Sequence, residues 1–198
     1  SWFASCIGGS PGVAYTPCVE NPIISEINYA SSATADAGDW IELYNKNATP
    51  FNLSGWSVKD GGSSPGMQFP AAYNLAASGH VALYEDGVKF NSRFPTVSNK
   101  LGPLNFGLSS SGDVILLYDN AGKLQYSVCY LPGAPWPTAP NGGGKTLENG
   151  QFSGNHNEGS SWFAGCPEGS PGTLYDPSCG ATGLPAYAEN GAVISLYP

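Results

Sequence analysis

Basic residues are scarce in this chain. Its 198 residues hold only seven Lys and Arg against fifteen Asp and Glu, a formal net charge of −8. Neutralising phosphates takes clustered cations, so nucleic acid and anionic membranes are poor candidate partners. Charged residues of either sign reach only 11%, and there are two His and one Met. No stretch is long and apolar enough to span a bilayer as a helix, which argues against membrane insertion. No Cys-x-x-Cys occurs, which removes the common zinc frameworks. The Asp-x-Asp-x-Asp run of a calcium loop is missing as well.

Glycine (27) and proline (17) are abundant, and aromatics make up 12%. They punctuate short β-branched and aromatic runs, a pattern of an all-β sandwich or barrel. Ile23 to Tyr29 alternates after a proline and reads as a strand. Asp39 to Asn45 is the strongest strand, with Trp40, Glu42 and Tyr44 on one face and Ile41 and Leu43 on the other. Further strands are expected at Phe51 to Val58, Met67 to Phe69, His80 to Tyr84, Val88 to Phe90, Asp113 to Tyr118 and Gln125 to Tyr130. Asp119-Asn120-Ala121-Gly122 is a hairpin turn signal between the last two. Leu131 to Gly144 should lack regular structure. Strands at this spacing match an immunoglobulin-like antiparallel sandwich whose core takes Ile27, Ile41, Leu43, Leu53, Trp56, Val81, Leu83, Ile115 and Leu117.

One segment occurs twice. Ser1-Trp2-Phe3-Ala4-Ser5-Cys6 through Cys18 returns as Ser161-Trp162-Phe163-Ala164-Gly165-Cys166 through Cys179, including Gly9-Ser10-Pro11-Gly12 and Gly169-Ser170-Pro171-Gly172. A closing segment present at both ends implies a piece of a tandem array. Residues 1–20 then form the tail of a preceding repeat, 21–179 one complete sandwich, and 180–198 a linker with a further start. Two cysteines fall in each copy, suggesting local disulfides Cys6–Cys18 and Cys166–Cys179, with Cys129 left as a packed thiol or a partner for a tail cysteine. The alternative is free thiols. Paired cysteines in a Gly/Pro-rich β protein place it in an oxidising compartment, secreted or at the cell surface. The disulfides would pin an irregular tail. Residues 1–18 keep Trp2, Phe3 and Tyr15, and are expected to pack on a sandwich, their own or a neighbouring copy's.

Ile24-Ser25-Glu26-Ile27-Asn28, Gly38-Asp39-Trp40-Ile41-Glu42-Leu43-Tyr44-Asn45 and Leu53-Ser54-Gly55-Trp56 together resemble the lamin tail domain of secreted bacterial proteins. Ser111 to Asp119, Trp136-Pro137, Lys145 to Glu148, and the closing Ser161-Trp162 and Gly169 to Gly172 extend the resemblance over about residues 21 to 179. It implies an immunoglobulin-like sandwich and a non-catalytic module. The chromatin contacts of nuclear lamins rest on basic surface, which this acidic chain lacks. Asn190 to Pro198 resembles the opening of the C-terminal sorting domain used by the Bacteroidetes type IX secretion system.

Candidate chemistry is thin. Asp39 and Glu42 lie three apart in one strand and point to opposite faces unless a bulge intervenes. Glu42 is expected to accept bonds from backbone or the Trp56 indole. Glu26 and Glu42 facing inward together would need a proton or a cation between them. His80 and His156 read as solvent-facing, without a Ser-His-Asp arrangement. Gly142-Gly143-Gly144-Lys145-Thr146 imitates the end of a phosphate loop, lacks its leading glycine, and reads as a turn. No catalytic, cofactor or metal residue is assigned. Calcium is the one ion left open, through Asp36, Asp39, Asp60, Asp86, Asp113 and Asp119 near loops.

The function expected is a non-enzymatic secreted or cell-surface module of a tandem protein, mediating anchoring or protein contacts. Its partners would be neighbouring repeats, a surface protein or a polysaccharide. The alternative is a carbohydrate-binding module that stacks exposed Trp or Tyr on sugar rings.

Overall fold

All five residues of Trp40–Tyr44 are buried although they alternate between two faces, so both faces of this strand are covered. The computed structural model describes residues 19–62, 65–175 and 179, and the backbone of two short strands near the C-terminus. The expected packing of residues 1–18 and the expected Cys6–Cys18 pair lie outside the described residues, as does most of 180–198.

In chain order the elements are β1 (Ile23–Asn28), β2 (Trp40–Tyr44), β3 (Phe51–Asn52), β4 (Ser57–Lys59), β5 (Met67–Gln68), β6 (Asn74–Leu75) and β7 (His80–Tyr84). Then come α1 (Gly87–Arg93), β8 (Lys100–Leu101), β9 (Asp113–Tyr118), β10 (Leu124–Tyr130), β11 (Lys145–Asn149) and β12 (Trp162–Pro167). A separate two-stranded sheet pairs β13 (Ala188–Glu189) with β14 (Ala192–Val193). A six-stranded sheet runs β12-β11-β1-β2-β7-β8 and a four-stranded sheet β10-β9-β4-β5, with β3 and β6 paired on their own. Pairing is antiparallel as expected, except that the short edge strand β8 runs parallel to β7.

The main core lies between the sheets. Ile24, Ile27, Ile41, Leu43, Val81, Leu83 and Leu147 come from the larger sheet, and Val58, Met67, Ile115, Leu117, Val128 and Tyr130 from the smaller one. All nine expected core residues are buried in it. Burying such side chains is the main stabilising term of a sandwich, and truncating one to alanine typically costs about 2–5 kcal/mol. The Asp119 turn closes the β9–β10 hairpin as its residues dictate: the Asp119 carboxylate accepts the N–H groups of Ala121 and Lys123.

Four expectations are corrected. Val88-Lys89-Phe90 is helical, because the Asp86 side chain caps the first turn by accepting from Val88 and Lys89 N–H. The repeated tail is not irregular throughout: Trp162–Pro167 is β12, the edge strand beside β11. Lys145 and Thr146 belong to β11, so only the glycines before them turn. Cys129 is free, as expected of a leftover thiol, but exposed instead of packed, since Val128 and Tyr130 take the inward phase of β10 and leave the thiol outside.

Two structures cover the outer face of the larger sheet. Over Trp40 and Ala82 lies α1, whose Phe90 meets Trp40 edge-on at 5.8 Å and is itself buried. Over Glu26, Glu42 and Glu148 lies the chain that follows β12. Arg93 of α1 and Glu168 of that tail form an ion pair where the two covers meet.

Candidate functional site

Register brings three glutamates into one row. Glu42 on β2 pairs with Glu26 on β1, and Glu26 pairs with Glu148 on β11. All three are buried. A bulge at Ser25, where β1 advances two residues for one on β2, keeps Ile24 and Ile27 both in the core while Glu26 turns outward. Buried carboxylates in a row need donors or protons, because each charge left unpaired costs several kcal/mol.

The tail supplies the donors. Ser170 gives its backbone N–H to Glu26 Oε1 at 3.0 Å and its hydroxyl to Glu148 Oε1 at 2.8 Å. Gly172 gives its N–H to Glu42 Oε2. The sheet adds the rest: Thr146 Oγ1 donates to Glu26 Oε1 at 2.6 Å, and Ser25 Oγ to Glu42 Oε1 at 2.7 Å. His80 Nδ1 also lies 2.7 Å from Glu42 Oε1, its ring stacked on Tyr44 with centroids 4.5 Å apart. Burial, reinforced by the Glu42 charge, raises the Glu26 pKa to about 8, against the lowering effect of its hydrogen bonds. Burial and the neighbouring Glu26 raise Glu148 well above the usual carboxylate range.

Close packing makes the tail's glycines specific. A Cβ on Gly169 would sit 2.6 Å from Glu26 Oε1 and 2.8 Å from Trp40 Cζ2, and φ there is +95°. The Cys166–Cys179 disulfide ties the end of the clasp back to β12. A void of about 10 Å³ beside Ser25, Glu42, His80 and Glu148 holds no more than a water. With a donor on each carboxylate, the row latches the tail onto the sheet.

The Glu26–Glu42 pair, with its need for a proton or a cation, is legible in the sequence, whereas Glu148 and the clasp are not. The repeated Gly-Ser-Pro-Gly was the available signal. Glu42 accepts from backbone as expected, at the Gly172 N–H, and its other oxygen meets Ser25 and His80 instead of the Trp56 indole. Asp39 and Glu42 do not converge: Asp39 Oδ2 accepts from Leu108 N at 2.7 Å, and burial raises its pKa to about 6 despite that bond.

Both histidines are misplaced as solvent-facing. His80 serves Glu42. His156 is buried, with Nε2 2.7 Å from the Gln151 carbonyl and Nδ1 2.6 Å from the Tyr126 hydroxyl, and burial lowers its pKa. The ring donates at Nε2 and accepts at Nδ1, an arrangement made by a neutral imidazole.

The six aspartates left open for calcium are dispersed, and each satisfies nearby groups. Asp60 and Asp36 accept from Gly62 and Gly38 N–H, Asp86 caps α1, Asp113 accepts from Ser109 N–H, and Asp119 closes its turn. Asp36 and Asp39 do share an open groove of about 310 Å³ with Glu85, but Lys89 Nζ stands in it 2.7 Å from Asp36. Among the described residues no group of three His, Cys, Asp or Glu is arranged to hold a metal ion.

No curated protein matches this chain. A family model, the lamin tail domain, matches residues 18–131. The match stops short of β11 and β12, which carry Glu148 and lead into the clasp. The match covers more than half of the sequence and the fold is the immunoglobulin-like β-sandwich of that module: the chain belongs to the lamin tail domain family.

Proposed function

We propose that this chain is a non-enzymatic structural or interaction module of a secreted or cell-surface protein, anchoring it or mediating contacts with neighbouring repeats. The observation that carries this reading is the fate of the carboxylate row. This buried row faces the chain's own tail, and every carboxylate in it bonds to sheet or clasp. Catalytic carboxylates need an open face for substrate. The disulfide supports an oxidising compartment, and the duplicated tail supports a tandem arrangement. The Asn190 to Pro198 resemblance supports export through the type IX system.

The sugar-binding alternative needs an exposed aromatic platform. Trp40, Trp56, Trp136 and Trp162 are all buried. The test is a pull-down of the purified chain on cellulose, chitin and xylan, with ester, phosphate and glycoside hydrolysis assays in parallel. Neither retention nor turnover is expected. Retention on one polysaccharide would replace this reading with the sugar-binding one, and turnover at enzyme-like rates would overturn both.

A further inference from the structure

Two tails of nearly the same sequence exist in this chain, and only the second is described in place on the sheet. They differ at a position of close contact. Gly165 lies at a bulge of β12, where two tail residues oppose the single Thr146 of β11. A Cβ built on Gly165 would stand 2.2 Å from Glu148 Cγ, 2.9 Å from Oε1 and 3.0 Å from Cδ. Cγ is not the free end of the side chain, and Glu148 is held by Ser170 at its tip, so it cannot simply swing aside. The other copy has Ser5 at this place.

We propose that Gly165 and Glu148 form a matching pair that selects which tail closes this sandwich, admitting a Gly-type tail and refusing the Ser5 copy. Residues 1–18 retain the Trp-Phe pair, the cysteines and the Gly-Ser-Pro-Gly that would read a carboxylate row. Their partner is then a second sandwich of the same kind, one whose residue facing Ser5 is smaller than glutamate. Selection of this sort uses a clash against the wrong partner as well as contacts with the right one. In a tandem protein it keeps each tail on its own body and suppresses exchange of β12 between neighbours. The inference rests on the tandem reading above, but its tests do not involve sugars or turnover, so either can fail alone.

The first test is a thermodynamic cycle on the full chain with Gly165→Ser, Glu148→Ala and the double variant, followed by urea denaturation. Gly165→Ser should lower the midpoint strongly alone, and by less than half as much when Glu148 is already alanine. Additive losses would overturn the pairing, since a merely strained serine would cost the same in both backgrounds. Gly165→Ala repeats the cycle with the smallest clash if the serine variant does not fold.

The second test titrates the full-length Gly165→Ser chain, whose own tail is refused, with labelled synthetic peptides of residues 161–179 and 1–18. The Gly-type peptide should bind at least about tenfold more tightly, a difference of about 1.4 kcal/mol. Equal binding of the two, or binding of neither, overturns selection at this face.

Discussion

Glu26 and Glu148 stand directly opposite each other on β1 and β11, and both are buried. Two carboxylates at this separation do not both ionise readily in a low-dielectric setting. The fold tolerates them through the Thr146 and Ser170 donors and through upward shifts of both pKa values. The latch is therefore polar in composition and linked to protonation.

That linkage has a defined direction. In the unfolded chain these glutamates titrate near the ordinary 4.5, whereas Glu26 in the folded state titrates at about 8. A folded-state pKa above the unfolded one means stability is fully present below about pH 4.5 and is lost as pH rises toward and through 8. Each group that keeps its proton only when folded tilts stability by up to about 1.4 kcal/mol per pH unit across that window. Urea midpoints of the full chain should fall between pH 5 and 8.5, and Glu26→Gln should flatten the decline. A midpoint that rises over this range would contradict the shifts.

The clasp is held by a short covalent loop as well as by hydrogen bonds. Cys166 and Cys179 are 13 residues apart, and closing a loop of that length contributes about 3 kcal/mol in the chain-entropy picture. Cys179→Ser should lower stability by about 2–3 kcal/mol and raise hydrogen exchange at the Ser170 and Gly172 amides before the strands of the core. Unchanged protection at these two amides would show that the latch holds without its tie.

Much of the fold was legible because one face of each long strand obeys period two. Ile41 and Leu43 alternate with Glu42, as Ile115 and Leu117 do with Leu116, and these inward residues form the core. The outer face was not legible. Glu42 and His80 occupy positions that ordinarily meet water, and what covers them lies near residue 172, far along the chain. No local pattern reports such a lid; only the duplicated Gly-Ser-Pro-Gly hinted that the segment has a fixed task. Val88-Lys89-Phe90 misled for another reason: β-branched and aromatic residues suggested a strand, but the Asp86 cap and the burial of Phe90 beneath a single helical face prevailed.

Helix α1 should depend on its cap beyond its own seven residues. A helix this short is marginal alone, and Phe90 anchors it over Trp40. Asp86→Ala removes the acceptor for two N–H groups and should cost about 1 kcal/mol. The loss should appear in thermal melts together with a change in tryptophan fluorescence, because Trp40 loses its cover first. Asp86→Asn retains an acceptor oxygen and should recover most of it. Equal losses for Ala and Asn would assign the effect to charge instead of capping.

Cys129 offers the cleanest readout of the packing of β10. Its thiol is free and exposed on the outward phase, while its backbone N–H is taken by Asn157 Oδ1 at 2.7 Å. Asn157 also donates to the Ser127 carbonyl at 3.3 Å, so one side-chain amide satisfies two groups on an edge strand. Such edge pairing blunts a strand that would otherwise recruit another. A maleimide should therefore label Cys129 in the native, oxidised chain within the time of mixing, without unfolding it. Asn157→Ala should leave labelling unchanged but expose the β10 edge, raising hydrogen exchange at the Cys129 amide and promoting concentration-dependent association seen by light scattering. Slow labelling of the native thiol would return Cys129 to the interior, and an unchanged Cys129 amide in Asn157→Ala would remove the clamp.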